Sequence, residues 1–75
     1  MEYTVDAVEL RKAMLDAGFI TNTELAEASG VERNTIGGIL NGKVRPSSMV
    51  IEKIASTLEL DGSSIGNIFF SQKLA

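Results

Sequence analysis

Apolar residues recur in five clusters at helical spacing, separated by glycines, one proline and short polar stretches. Leu10, Ala13, Met14 and Ala17 fall at i, i+3, i+4 and i+7, with Val8 or Leu15 at the margin. That pattern predicts an amphipathic helix over about 6–17, opened by Asp6 and stopped by Gly18. Tyr3, Thr4 and Val5 before it also suit an extended arm. Phe19 and Ile20 are expected to drop into the core as a lead-in to Thr21. Thr21 and Glu24, three residues apart, form a capping box, which predicts a helix over 22–29 with Leu25, Ala26 and Ser29 on its inner face. Gly30 should end it in a left-handed turn, with Val31 plugging the angle to a third helix over 32–40. Ile36, Ile39 and Leu40 make the inner face of that helix, Glu32 is its weak cap or first-turn acid, and Asn41-Gly42 ends it.

Pro46 restricts Arg45 to extended geometry, so Lys43–Pro46 reads as a loop. Ser47 or Ser48 then caps a fourth helix over 47–58 carrying Met49, Val50, Ile51, Ile54, Ala55 and Leu58, most of them on one inward stripe. Leu60 should pack inward, and Asp61 should cap a fifth helix over 63–70 with Ile65, Ile68 and Phe69 as its apolar residues. The expectation is an all-α bundle of five helices in one domain spanning 1–75, without linker, internal repeat or low-complexity segment.

The stretch LAEASGVERNTIGGILNGK resembles the helix-turn-helix of the Cro/C1-type, phage-repressor-like (XRE) regulators. Leu25-Ala26, Gly30-Val31, Ile36, Asn41-Gly42-Lys43 with Pro46, and Ile54-Ala55 with Leu58 follow the family's order and approximate spacing over residues 8 to 70. The resemblance implies a lambda-repressor-like bundle whose third helix enters the DNA major groove. It also exposes departures. The linker before Thr21 looks one residue longer than is common in the family. Met14 and Leu40 stand where many members carry a buried arginine–glutamate pair, and an apolar replacement of such a pair is compatible with a stable core.

Residue by residue, the resemblance places Asn22 where the family commonly has a glutamine contacting phosphate or a base edge, with Thr23 able to add a hydroxyl or N–H. Arg33 and Asn34 occupy the first exposed turn of the third helix. An arginine can fork onto guanine O6 and N7, and an asparagine can pair with adenine N6 and N7. Lys43 and Arg45 would be backbone-positioning contacts. Gly37 and Gly38 stand where the family usually has polar readers, and each costs a helix roughly 1 kcal/mol relative to alanine. A close approach of backbone to DNA or to a partner protein would account for them. Near the C-terminus, Ile65, Phe69, Phe70 and Leu74 are candidates for a homodimer contact, since adjacent phenylalanines cannot share one narrow helical stripe. A tail folded back on the domain is the alternative.

Charge complicates the picture. The net charge is −3 at pH 7, with a pI near 4.7, unusual for a protein that binds phosphates. Residues 1–32 hold seven acids against Arg11 and Lys12, whereas residues 33–53 hold Arg33, Lys43, Arg45 and Lys53 against Glu52 alone. That asymmetry is compatible with one basic edge on an acidic body, though four cations make a thin electrostatic footprint.

The chain lacks cysteine and histidine, which removes disulfides, thiol chemistry and the usual zinc ligands. No phosphate loop or metal-spaced cluster is present, so no cofactor, no metal and no enzymatic activity are expected. No apolar run approaches the roughly 20 residues that span a bilayer, and MEYTVDAVEL does not resemble a signal peptide; the expected setting is the cytoplasm. Two functions fit. One is a sequence-specific regulator of repressor or Cro-like type that binds double-stranded DNA. The other is a small anti-repressor or modulator that binds a repressor protein and masks its DNA-binding surface, a reading favoured by the acidic pI and the paired glycines.

Overall fold

The computed structural model describes residues 3–72, which form five helices and one short two-stranded ribbon. The helices are α1 (Ala7–Asp16), α2 (Asn22–Ser29), α3 (Arg33–Leu40), α4 (Ser48–Leu58) and α5 (Gly62–Phe69). The ribbon pairs β1 (Tyr3–Thr4) antiparallel with β2 (Ser71–Gln72), Tyr3 opposite Gln72 and Thr4 opposite Ser71. It fastens the two ends of the described chain together. The Asp6 N–H donates to the Ile68 carbonyl at 2.7 Å just inside it.

Local chemistry sets most helix ends. Asp6, Ser47 and Asp61 cap α1, α4 and α5 by accepting the N–H groups of Glu9, Val50 and Ser64. Thr21 and Glu24 form the complete capping box at α2, and Gly30 ends that helix at φ +78°. The end of α4 is less expected. Glu59 takes the left-handed conformation at φ 54°, and the Leu60 N–H reaches back to the Ala55 carbonyl at 2.9 Å, closing the last turn as a glycine usually would.

Leu10, Met14, Leu25, Val31, Ile36, Ile39, Ile54, Leu58, Ile68 and Phe69 form the core, with Val5, Phe19, Leu40, Leu60 and Ile65 packed against it. Through this core α3 packs on α1 and α2, α2 also on α4, and α1 also on α5. No charged or polar side chain is buried among the described residues, so Met14 fills its position purely by apolar contact.

Several expected core residues are instead exposed. Ile20 points to solvent because Phe19 takes the inward position and Glu24 holds the Ile20 N–H. Ala17 follows the last residue of α1 and lies at the surface. Met49 sits away from the Ile51–Ile54–Ala55–Leu58 stripe and is also exposed. At the C-terminus the two phenylalanines part company: Phe69 is 4% exposed and Phe70 50%. Phe69 is therefore part of the core, and the half-buried Ile65 packs against it. Phe70 packs edge-on against Tyr3, ring centres 6.2 Å apart. Leu74 lies outside the described residues.

Candidate nucleic-acid interface

The side chains singled out from sequence gather around the first turns of α2 and α3. The capping box fixes the start of α2, so Asn22 and Thr23 are held at a defined place. Thr23 is exposed and Asn22 half-buried. Glu24 accepts the N–H groups of Thr21 at 3.0 Å and Ile20 at 2.7 Å. The Thr21 N–H, and then that of Ile20, hold its carboxyl below the ordinary value. This acid is occupied with the backbone.

Gly30 reverses the chain, Val31 is buried in the angle, and α3 emerges with Ile36 and Ile39 turned inward. Helical geometry then turns Arg33 and Asn34 outward, and both are exposed. Neither enters an ion pair among the described residues, where the one pair is Lys12–Glu9 at 3.5 Å. Their fork and amide are open to a ligand. Glu32 precedes them without making a side-chain cap, which leaves the opening of α3 without the carboxylate bond seen at α2.

The adjacent glycines have different surroundings. Gly37 lies one helical turn beyond Arg33 on the same face, and a methyl group placed on it would sit 3.7 Å from Asn22 Nδ2, an ordinary contact. Gly37 thus belongs to the outer face and brings α3 close to Asn22. A methyl group on Gly38 would collide with the Val44 side chain. The Gly38 carbonyl also accepts the N–H groups of Lys43 at 2.8 Å and Val44 at 3.1 Å. Gly38 is turned toward its own loop and is needed there, contrary to the expectation that both glycines open the helix to a partner.

That loop presents the remaining cations. Lys43 is exposed, and Arg45 is exposed but tethered, its Nη2 donating to the Tyr3 carbonyl at 2.9 Å. Arg45, β1 and Phe70 border a groove of about 400 Å³ whose floor includes Ile39, Ile51 and Phe69. Sequence reasoning placed Arg45 near the interface but missed its tie to the N-terminal arm, a contact across 42 positions that no local pattern encodes.

Arg11 was also missed. Its Nη1 donates to Asn22 Oδ1 at 3.3 Å, joining α1 to the start of α2. Its place beside the Leu10–Met14 stripe was the available signal. That stripe fixes which flank of α1 Arg11 occupies, but not what lies opposite.

Two short helices crossing at a glycine turn, the second offering an exposed Arg-Asn pair in its first turn, define a helix-turn-helix domain. Residues 10–65 match the family model described as Helix-turn-helix, and the chain belongs to that family, in its Cro/C1 branch. It is similar to the crystal structure of the restriction-modification controller protein C.AhdI from Aeromonas hydrophila. That similarity has 27% identity and a TM-score of 0.69, over 79% of this chain and 88% of that one. No curated protein matches it. Family and neighbour together make the chain a DNA-binding transcription regulator rather than an enzyme. Among the described residues no helix is long and apolar enough to cross a membrane.

Proposed function

We propose that the chain is a repressor or control protein of Cro/C1 type, working in the cytoplasm, that lays α3 in the major groove of double-stranded DNA. Arg33 and Asn34 read base edges, Lys43 and Arg45 meet the backbone, and Asn22 with Thr23 holds a phosphate beside the start of α2. The observation that carries this reading is the exposed Arg33, in no ion pair among the described residues, on the turn that also presents Asn34. The likeness to a protein named as a restriction-modification controller supports a control function. A homodimer would match a two-fold operator with half-sites about one DNA turn apart. Phe70, edge-on to Tyr3 yet half exposed, is the phenylalanine available to such a contact.

A second reading, a modulator that covers a repressor's DNA-binding surface, keeps the net charge of −3 as its support. It loses Gly38, because the Val44 contact accounts for that residue. Fluorescence anisotropy with labelled duplex from the gene's flanking DNA separates the two. Binding should weaken steeply with salt, because phosphate contacts release counterions, and should collapse in an Arg33→Ala, Lys43→Ala double variant. A chain that ignores DNA at low salt but captures a repressor would favour the modulator.

A further inference from the structure

Arg11 is half-buried, and among the described residues its side-chain contact is with a neutral amide, not a carboxylate. It borders a shallow groove with Ala7, Val8 and Leu40, so an apolar residue of α3 stands nearby where an acid could have drawn the guanidinium away. The guanidinium is donor-only. It therefore fixes which end of the Asn22 side chain faces α1: the oxygen must, and the NH2 group must turn the other way. That NH2 group is on the Gly37 side, 3.7 Å from where a methyl group on that glycine would sit. With Oδ1 turned to Arg11, the group Asn22 presents away from α1 is its pair of N–H donors, and a DNA phosphate takes donors only.

We infer that Arg11 is a positioning residue for DNA binding: it holds the Asn22 amide in the one orientation that donates to phosphate. This rests on the reading that the α2–α3 face binds DNA. Asparagine is shorter than glutamine and has little reach to search for a phosphate, so presetting its orientation matters more. Gly37 places no side chain of its own beside that amide.

The test combines binding with a measurement on the free protein. Asn22→Ala and Arg11→Ala should each weaken binding to the flanking duplex about tenfold, and the double variant should be little weaker than either, as for two residues acting through one contact. Arg11→Lys should recover only part of the loss, because an ammonium lacks the guanidinium's fixed fork. The salt slope should be unchanged in Arg11→Ala, since the phosphate contact it governs is neutral, whereas Lys43→Ala should lower the slope by about 1. In the free protein, NMR should show the Asn22 side-chain NH2 signals shifting in Arg11→Ala while the core methyl signals stay in place.

Independent, multiplying effects of the two substitutions would overturn the inference, as would a slope that falls by about 1 in Arg11→Ala, which would put Arg11 itself on phosphate. Unmoved Asn22 signals would overturn it without any DNA. Failure of the wild-type chain to bind duplex at low salt, with the Asn22 signals still responding to Arg11→Ala, would instead overturn the DNA reading and leave the Arg11–Asn22 contact standing.

Discussion

The two helices of the central pair have the same length, eight residues, but hold their shape by different means. α2 is locally specified: a full capping box opens it and a left-handed glycine closes it. α3 has no side-chain cap at its start and carries two glycines in its interior. Neither is long enough to persist alone in water, but α3 depends far more on the surrounding fold. Ile36 and Ile39 anchor it against α1 and α2, and the turn after it folds back onto Gly38. Held from behind, α3 keeps its outer face free of structural duties.

The largest expected effect follows from that dependence. Ile36→Ala removes a fully buried side chain at the back of α3 and should cost about 2–5 kcal/mol, visible as a lower urea midpoint. A loss no larger than that of a surface substitution would mean that α3 is held mainly by its own backbone. Gly38→Ala comes next. The added methyl meets Val44 and should cost about 1–3 kcal/mol through overpacking. Gly37→Ala, its neighbour, should instead gain up to about 1 kcal/mol from helix propensity, with only van der Waals contact to Asn22. Equal effects at the two positions would contradict the geometry described for them.

The difference in capping gives a smaller, two-sided test. Thr21→Ala should cost about 1 kcal/mol, since the Glu24 N–H loses its acceptor. Glu32→Ser supplies α3 with the cap it lacks and should gain a few tenths to about 1 kcal/mol. Paired thermal melts would read both, at roughly 4–8 °C per kcal/mol for a domain of this size. If Glu32→Ser is neutral while Thr21→Ala is costly, α3 has all the stabilisation it needs from packing.

What could be read from sequence follows the same division. Thr21, Glu24, Gly30, Asp6 and Asp61 announce helix ends because capping acts within a few residues, and those ends lie within one or two residues of expectation. Exposed Arg33 and Asn34 follow from helical periodicity once Ile36 and Ile39 are assigned inward. Long-range contacts were not legible. Val44 against Gly38, Arg45 on the Tyr3 carbonyl, Arg11 on Asn22 and the pairing of Tyr3–Thr4 with Ser71–Gln72 depend on tertiary placement, which spacing does not carry. Ile20 misled because hydrophobicity alone cannot choose between adjacent residues on opposite sides of the chain. The end of α4 at Leu58 follows from its apolar stripe, but the left-handed cap at Glu59 does not, since glutamate rarely occupies that region.

The smallest effect separates the helix pair by pH. The Glu24 carboxyl is held below its ordinary value by the Thr21 N–H and then by that of Ile20, and no equivalent bond exists at Glu32. A depressed folded-state value means that the folded chain binds fewer protons than the unfolded chain in that range. Stability from Glu24 is therefore fully present above the ordinary carboxylate range and is lost as pH falls through the folded-state value. Asp61 behaves in the same direction through Ser64, so the comparison has to be made within one background. Glu24→Gln keeps an acceptor in the capping box but cannot titrate. Melts from pH 7 down to about pH 3 should show the wild type losing more stability than Glu24→Gln, with the two curves drawing together at the acid end. Parallel curves for wild type and Glu24→Gln would mean that the charge on Glu24 adds nothing to the box. The box would then act through its hydrogen bonds alone.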